Sequence, residues 1–116
     1  MTESELRKQM DDAIQVIREA IEGHGGLLEI EKGPDFRWSG IARLPEGKLL
    51  LSTRKSGKQA VPGEMKSVLE ATADLTLEGR LVARILFFSE KTEVELPGGT
   101  RKPFGHAGIT RAFEAI

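Results

Sequence analysis

Between residues 27 and 99 the chain is broken at short intervals by tight-turn chemistry, and this constrains its fold more than any other feature. The breaks are Gly33-Pro34-Asp35, Pro45-Glu46-Gly47, Glu78-Gly79, Ser89-Glu90-Lys91 and Pro97-Gly98-Gly99. Proline presets φ, while glycine and aspartate accept the conformations a sharp return requires. The apolar segments that these breaks help to delimit are 27–31, 36–44, 48–54, 74–77, 80–88 and 92–96, lengths typical of strands joined as antiparallel hairpins. In the second of them Phe36, Trp38, Gly40 and Ala42 point one way and Arg37, Ser39, Ile41 and Arg43 the other, with Ile41 breaking an otherwise polar face.

The two ends have a different period. Leu6, Met10, Ala13, Ile14, Ile17, Ala20 and Ile21 recur every three or four residues and predict an amphipathic helix over about residues 4–22. Thr2 with Glu5 forms a capping-box pattern, and Gly23-His24-Gly25-Gly26 supplies the stop. Arg54 to Ala60 reads as a polar loop. Pro62-Gly63-Glu64 then opens a short helix with Met65, Val68, Leu69 and Thr72 on one face, and Ile109 to Ile116 forms a closing helix. The expectation is one α+β domain over residues 1–116, an antiparallel sheet of two three-stranded meanders with elements in the order α-βββ-α-βββ-α. From Leu81 to Phe88 both strand faces are apolar except for Arg84, so Val82, Leu86 and Phe88 are candidates for self-association.

Composition removes whole classes of function. With no cysteine there are no disulfides, thiolate nucleophiles or cysteine-held metals. No apolar run approaches the roughly 20 residues a membrane helix requires, and the acidic start Met1-Thr2-Glu3-Ser4-Glu5 lacks the pattern of a signal peptide, so a cytoplasmic protein is expected. Net charge is only −1, but it is uneven. Residues 1–31 hold eight acids and three bases, residues 32–66 three acids and eight bases, and residues 67–116 seven acids and six bases. Any attraction to an anion is therefore local and centred on the middle third.

Few residues form a pattern that chemistry requires. His24 and His106 share no ligand spacing with each other or with nearby carboxylates, and no serine lies in a GxSxG frame. Asp11-Asp12 and the pair Glu93 and Glu95 read as solvated charge. No catalytic residue, cofactor or metal is expected. The glycine-rich stretch 98–108 leads into the last helix, making Arg101 and Lys102 candidate anion contacts. The cluster Arg54-Lys55-Ser56-Gly57-Lys58, with Arg37, Arg43 and Lys48 on nearby strands, is the second anion candidate, with Trp38 or Phe36 available to stack on a base if exposed. Against that stands an aromatic content of 5 % with no tyrosine.

In outline, the order of elements, the small size and the mild acidity are similar to type III secretion chaperones, and the resemblance implies a cytoplasmic dimer that holds an extended partner segment. The functional expectation is a non-enzymatic protein-binding module, chaperone-like or adaptor-like, that forms a homodimer through its sheet. The alternative is a nucleic-acid accessory protein using Arg54, Lys55 and Lys58.

Overall fold

The first helix begins where its cap places it. The Thr2 hydroxyl accepts from the Glu5 amide at 3.1 Å, and the Glu5 carboxylate accepts from the Thr2 amide at 3.0 Å, so two amides without helical partners satisfy each other's side chains. A computed structural model of the chain describes residues 1–61, 64–114 and 116, with side chains for all of these except 57–61 and 64–67. Helix α1 runs Glu3–Gly23 and buries Leu6, Met10, Ala13, Ile14, Ile17 and Ile21, the stripe its period predicts. Beyond it Gly25 takes φ +89°, the left-handed turn that suits glycine.

Seven strands follow: β1 Glu29–Lys32, β2 Trp38–Leu44, β3 Gly47–Val61, β4 Glu64–Leu77, β5 Arg80–Phe88, β6 Thr92–Glu95 and β7 Arg101–Pro103, with helix α2 at His106–Glu114. They form one antiparallel sheet whose spatial order is the chain order, β1 to β7. Class and antiparallel sense are as expected, but the division into two three-stranded meanders is not found. Only two α-helices occur among the described residues.

The expected middle helix is part of β4. The spacing of Val68, Leu69 and Thr72 imitates a helical face, but Ala71, Ala73, Leu75 and Leu77 repeat at period two, and that second pattern is the one buried against the helices. The expected loop 54–60 is likewise strand, because β3 continues along β4 through register shifts between Lys55 and Gln59. Residues 101–103, expected in a loop, form the edge strand β7. With two helices flanking a continuous sheet, the element order that underlay the likeness to type III secretion chaperones is not present. No helix among the described residues is long and apolar enough to cross a membrane.

The ladder registers align rows of inward-facing residues. One row is Gly40, Leu51, Leu75 and Ala83; the next is Thr53, Ala73, Ile85, Val94 and Lys102. Alanine and glycine at the centre leave room for α1 and α2, whose Met10, Ile17, Ile21, Ile109 and Phe113 complete the core. Each fully buried side chain of this kind contributes about 1.5–3 kcal/mol. At Gly108 a Cβ would stand 3.0 Å from Val94 Cγ1 and 3.2 Å from the Pro103 carbonyl, so the missing side chain lets α2 approach β6 and β7.

Polar ties fix the irregular parts. The Gln9 amide nitrogen lies 3.1 Å from the Phe88 and Lys91 carbonyls and 2.7 Å from the Thr92 hydroxyl, fastening α1 to the β5–β6 turn. Arg18 donates to the Leu28 carbonyl at 2.7 Å. Buried Thr53 donates to the Phe36 carbonyl at 2.6 Å and accepts from the Trp38 amide at 2.8 Å, holding the Pro34–Phe36 turn in which Asp35 and Phe36 both have positive φ.

Candidate functional site

The helices cover one face of the sheet, so the other face decides what the sheet presents. Alternation along β2 buries Trp38, Gly40, Ala42 and Leu44 and exposes Ser39, Ile41 and Arg43. On β3 it buries Leu49, Leu51 and Thr53 and exposes Lys48, Leu50, Ser52 and Arg54. The β2–β3 register then places like beside like on the outer face: Arg43 opposite Lys48, Ile41 opposite Leu50, and Ser39 opposite Ser52. Past Ser39–Ser52 the ladder stops, since the Trp38 amide donates to the Thr53 hydroxyl instead, and Arg37 and Arg54 are exposed beyond it.

The result is a ladder with a basic pair at one end, then an apolar pair and a serine pair, and exposed Arg37 and Arg54 beyond the other end. Ile41 and Leu50 are 37 % and 41 % exposed, among the few large apolar side chains open to solvent. Shallow depressions of 450 and 570 Å³ flank Ile41; the first is lined by Glu29, Glu31, Ser39 and Leu50, the second by Leu27, Glu29 and Arg43. No ion pair is found for Arg37, Arg43, Lys48 or Arg54 among the described residues. Two like charges directly opposite on a sheet oppose folding by a few tenths of a kcal/mol up to about 1 kcal/mol. The Arg43–Lys48 pair is such an arrangement.

The other half of the outer face is different. Arg84 is opposite Asp74 and contacts both its oxygens, at 2.7 and 3.4 Å, and this hydrogen bonding with the adjacent charge holds the guanidinium pKa above its usual value. Arg101 donates to Glu95 at 3.0 Å. Val82, Leu86 and Phe88, expected to meet a second subunit, are 7 %, 5 % and 1 % exposed within a single chain, and Val82 joins the main core.

Compared with known protein families, with curated proteins and with solved structures, the chain matches none.

The basic cluster 54–58 is divided by the strand period. Arg54 goes to the outer face; Lys55 goes to the helix side, 3.9 Å from Glu3 and 3.8 Å from Asp35. The Lys58 side chain lies outside the described residues. Arg101 and Lys102 lie on the edge strand, not at the start of α2. Phe36 and Trp38, considered as stacking rings, are buried at 6 % and 4 % exposure, so neither ring is presented on the outer face. Of the expected anion contacts, Arg43 lies opposite Lys48 on the outer face, Arg54 lies further along β3, and Arg37 is exposed just before β2.

The histidines do converge, away from this patch. Both line a 360 Å³ cleft between α1 and α2, with His24 2.9 Å from Glu46, His106 3.5 Å from Glu19, and Phe113 edge-on to His24. Among the described residues no group of three or more histidine or carboxylate side chains is placed to hold a metal. Sequence reasoning missed Leu50 as a surface residue. Its signal was the run Leu49-Leu50-Leu51, in which a half-buried strand must expose one leucine.

Proposed function

We propose that the chain is a non-enzymatic binding module that docks a protein partner on the outer face of β2 and β3. The observation that carries this reading is the ladder of Ser39, Ile41 and Arg43 beside Ser52, Leu50 and Lys48, with Arg54 further along β3, where cations without ion pairs among the described residues frame an exposed apolar pair. Cations opposed to cations weaken the isolated fold, and an occupant that neutralises them recovers that loss. The Ser39–Ser52 pair lies on the face away from the helices, whereas both histidines line the cleft between them, so the serines have no histidine beside them to serve as a base. A dimer through Val82, Leu86 and Phe88 is not part of this reading, because one chain already covers them.

A displayed library of random peptides, panned on the wild-type chain and then on the I41S/L50S variant, tests the reading. The expected result is a set of peptides that bind the wild type and lose at least tenfold in affinity on the variant, whose folding is verified by circular dichroism. Peptides indifferent to the two substitutions, or a chain that takes up mixed oligonucleotides and no peptide, would overturn it.

A further inference from the structure

The charges around the patch narrow what can occupy it. Lys48, beside Arg43, and the exposed Arg54 are six residues apart along β3, about 20 Å at roughly 3.3 Å per residue. Between them lie the serine row and the apolar row. Acids bound this middle section on both sides: Glu31 stands beside Ser39 and Glu29 beside Ile41 on β1, and Asp74 stands beside Ser52 on β4. Neighbouring strands are about 4.8 Å apart, so these strands lie one and a half spacings, roughly 7 Å, from the centre line. Asp74 is itself neutralised by Arg84, so the patch is positive at its two ends, apolar in the middle, and bounded by negative charge along its β1 flank.

A nucleic acid fits this poorly. A single strand carries a phosphate at every nucleotide, and some of these would lie beside Glu29 and Glu31. A duplex, with phosphate backbones separated by a groove roughly 12 Å wide, would cover both flanks at once. An occupant with charge at its ends and none at its centre fits well.

Resting on the docking reading above, we propose that the occupant is an extended segment of a protein partner lying along β2 and β3. It carries acidic side chains at positions i and i+6 and an apolar side chain at i+2 or i+4, according to its direction. Its acids meet the Arg43–Lys48 pair and Arg54. Its apolar side chain rests on Ile41 and Leu50, the latter two residues from Lys48 and four from Arg54.

The test is fluorescence anisotropy with labelled nine-residue peptides of one composition, some with acids at i and i+6 and others with both acids moved to the centre. An oligothymidine of equal net charge is the third probe. The end-charged peptide is expected to bind at least tenfold more tightly than its centre-charged isomer and than the oligothymidine. R43E and R54E should each weaken it about tenfold, and added salt should weaken it further. Equal binding by the two isomers, or no effect of either charge reversal, would overturn the proposal. If library peptides sensitive to I41S/L50S carry no such acids, the inference fails and the docking reading stands. If no peptide engages the face, both fail.

Discussion

The two halves of the outer sheet face are built by the same alternation and left in opposite states. Over β4 to β7, Arg84 is satisfied by Asp74 and Arg101 by Glu95, and the apolar Leu86 and Phe88 are buried. Over β2 and β3, four cations stand without ion-pair partners among the described residues, and Ile41 and Leu50 are open to water. One half is finished within the chain; the other carries charge and apolar surface that the fold does not use. Departures of this kind from the rules that stabilise a sheet gather where a surface serves something else.

Stability measurements sharpen the contrast. Phe88→Ala should have the largest effect, about 3–5 kcal/mol in urea unfolding, since it empties a fully buried site; a cost under about 1 kcal/mol would show that half to be open as well. I41S/L50S, the equivalent loss on the open half, should stay within about 1 kcal/mol in total. Next comes Asp74→Ala, expected to cost about 1 kcal/mol because Arg84 and Asp74 are 35 % and 28 % exposed and solvent screens their attraction. A double-mutant cycle with Arg84→Ala should assign most of that cost to the pair. Arg43→Ala and Arg54→Ala should change stability by less than about 0.5 kcal/mol, the first with the sign toward stabilisation as its like-charged neighbour is relieved. A clear loss in either variant would mean that the cation has a partner and that the halves are alike.

The smallest effect serves as a control remote from both halves. Hydrogen bonding to Thr2 lowers the Glu5 pKa below its ordinary 4.5. Its contribution is therefore full above about pH 4.5 and lost as pH falls through the lower folded value. Glu5→Gln should show a slight loss of thermal stability at pH 7 that disappears near pH 2.

The sequence announced α1 almost residue for residue, because its period and both of its ends are written locally in Thr2, Glu5 and Gly25. The turns at 45–47 and 78–79 were equally legible. The stretch 54–72 was not. Polar residues 54–59 carry no strand signal of their own and are strand because β4 pairs with Arg54, Lys55 and Gln59 across a register shift, while Val68, Leu69 and Thr72 satisfy two periods at once. The basic residues of the site were visible as types. Their grouping depended on register: one step along the chain separates Arg54 from Lys55, and the pleat sends them to opposite faces. Ile41, the residue that spoiled the alternation, was the most informative letter on β2.

The first helix of this chain finds its anchor late. Gln9 meets the Phe88 carbonyl 79 residues further along the chain, and α1 packs against α2 later still. A ribosome adding roughly 5–20 residues per second leaves the stripe of Leu6, Met10, Ile17 and Ile21 without its final cover for roughly 4–16 s, while each strand pairs with the one made just before it. Of the elements described, the one made before every strand is covered by those made after them.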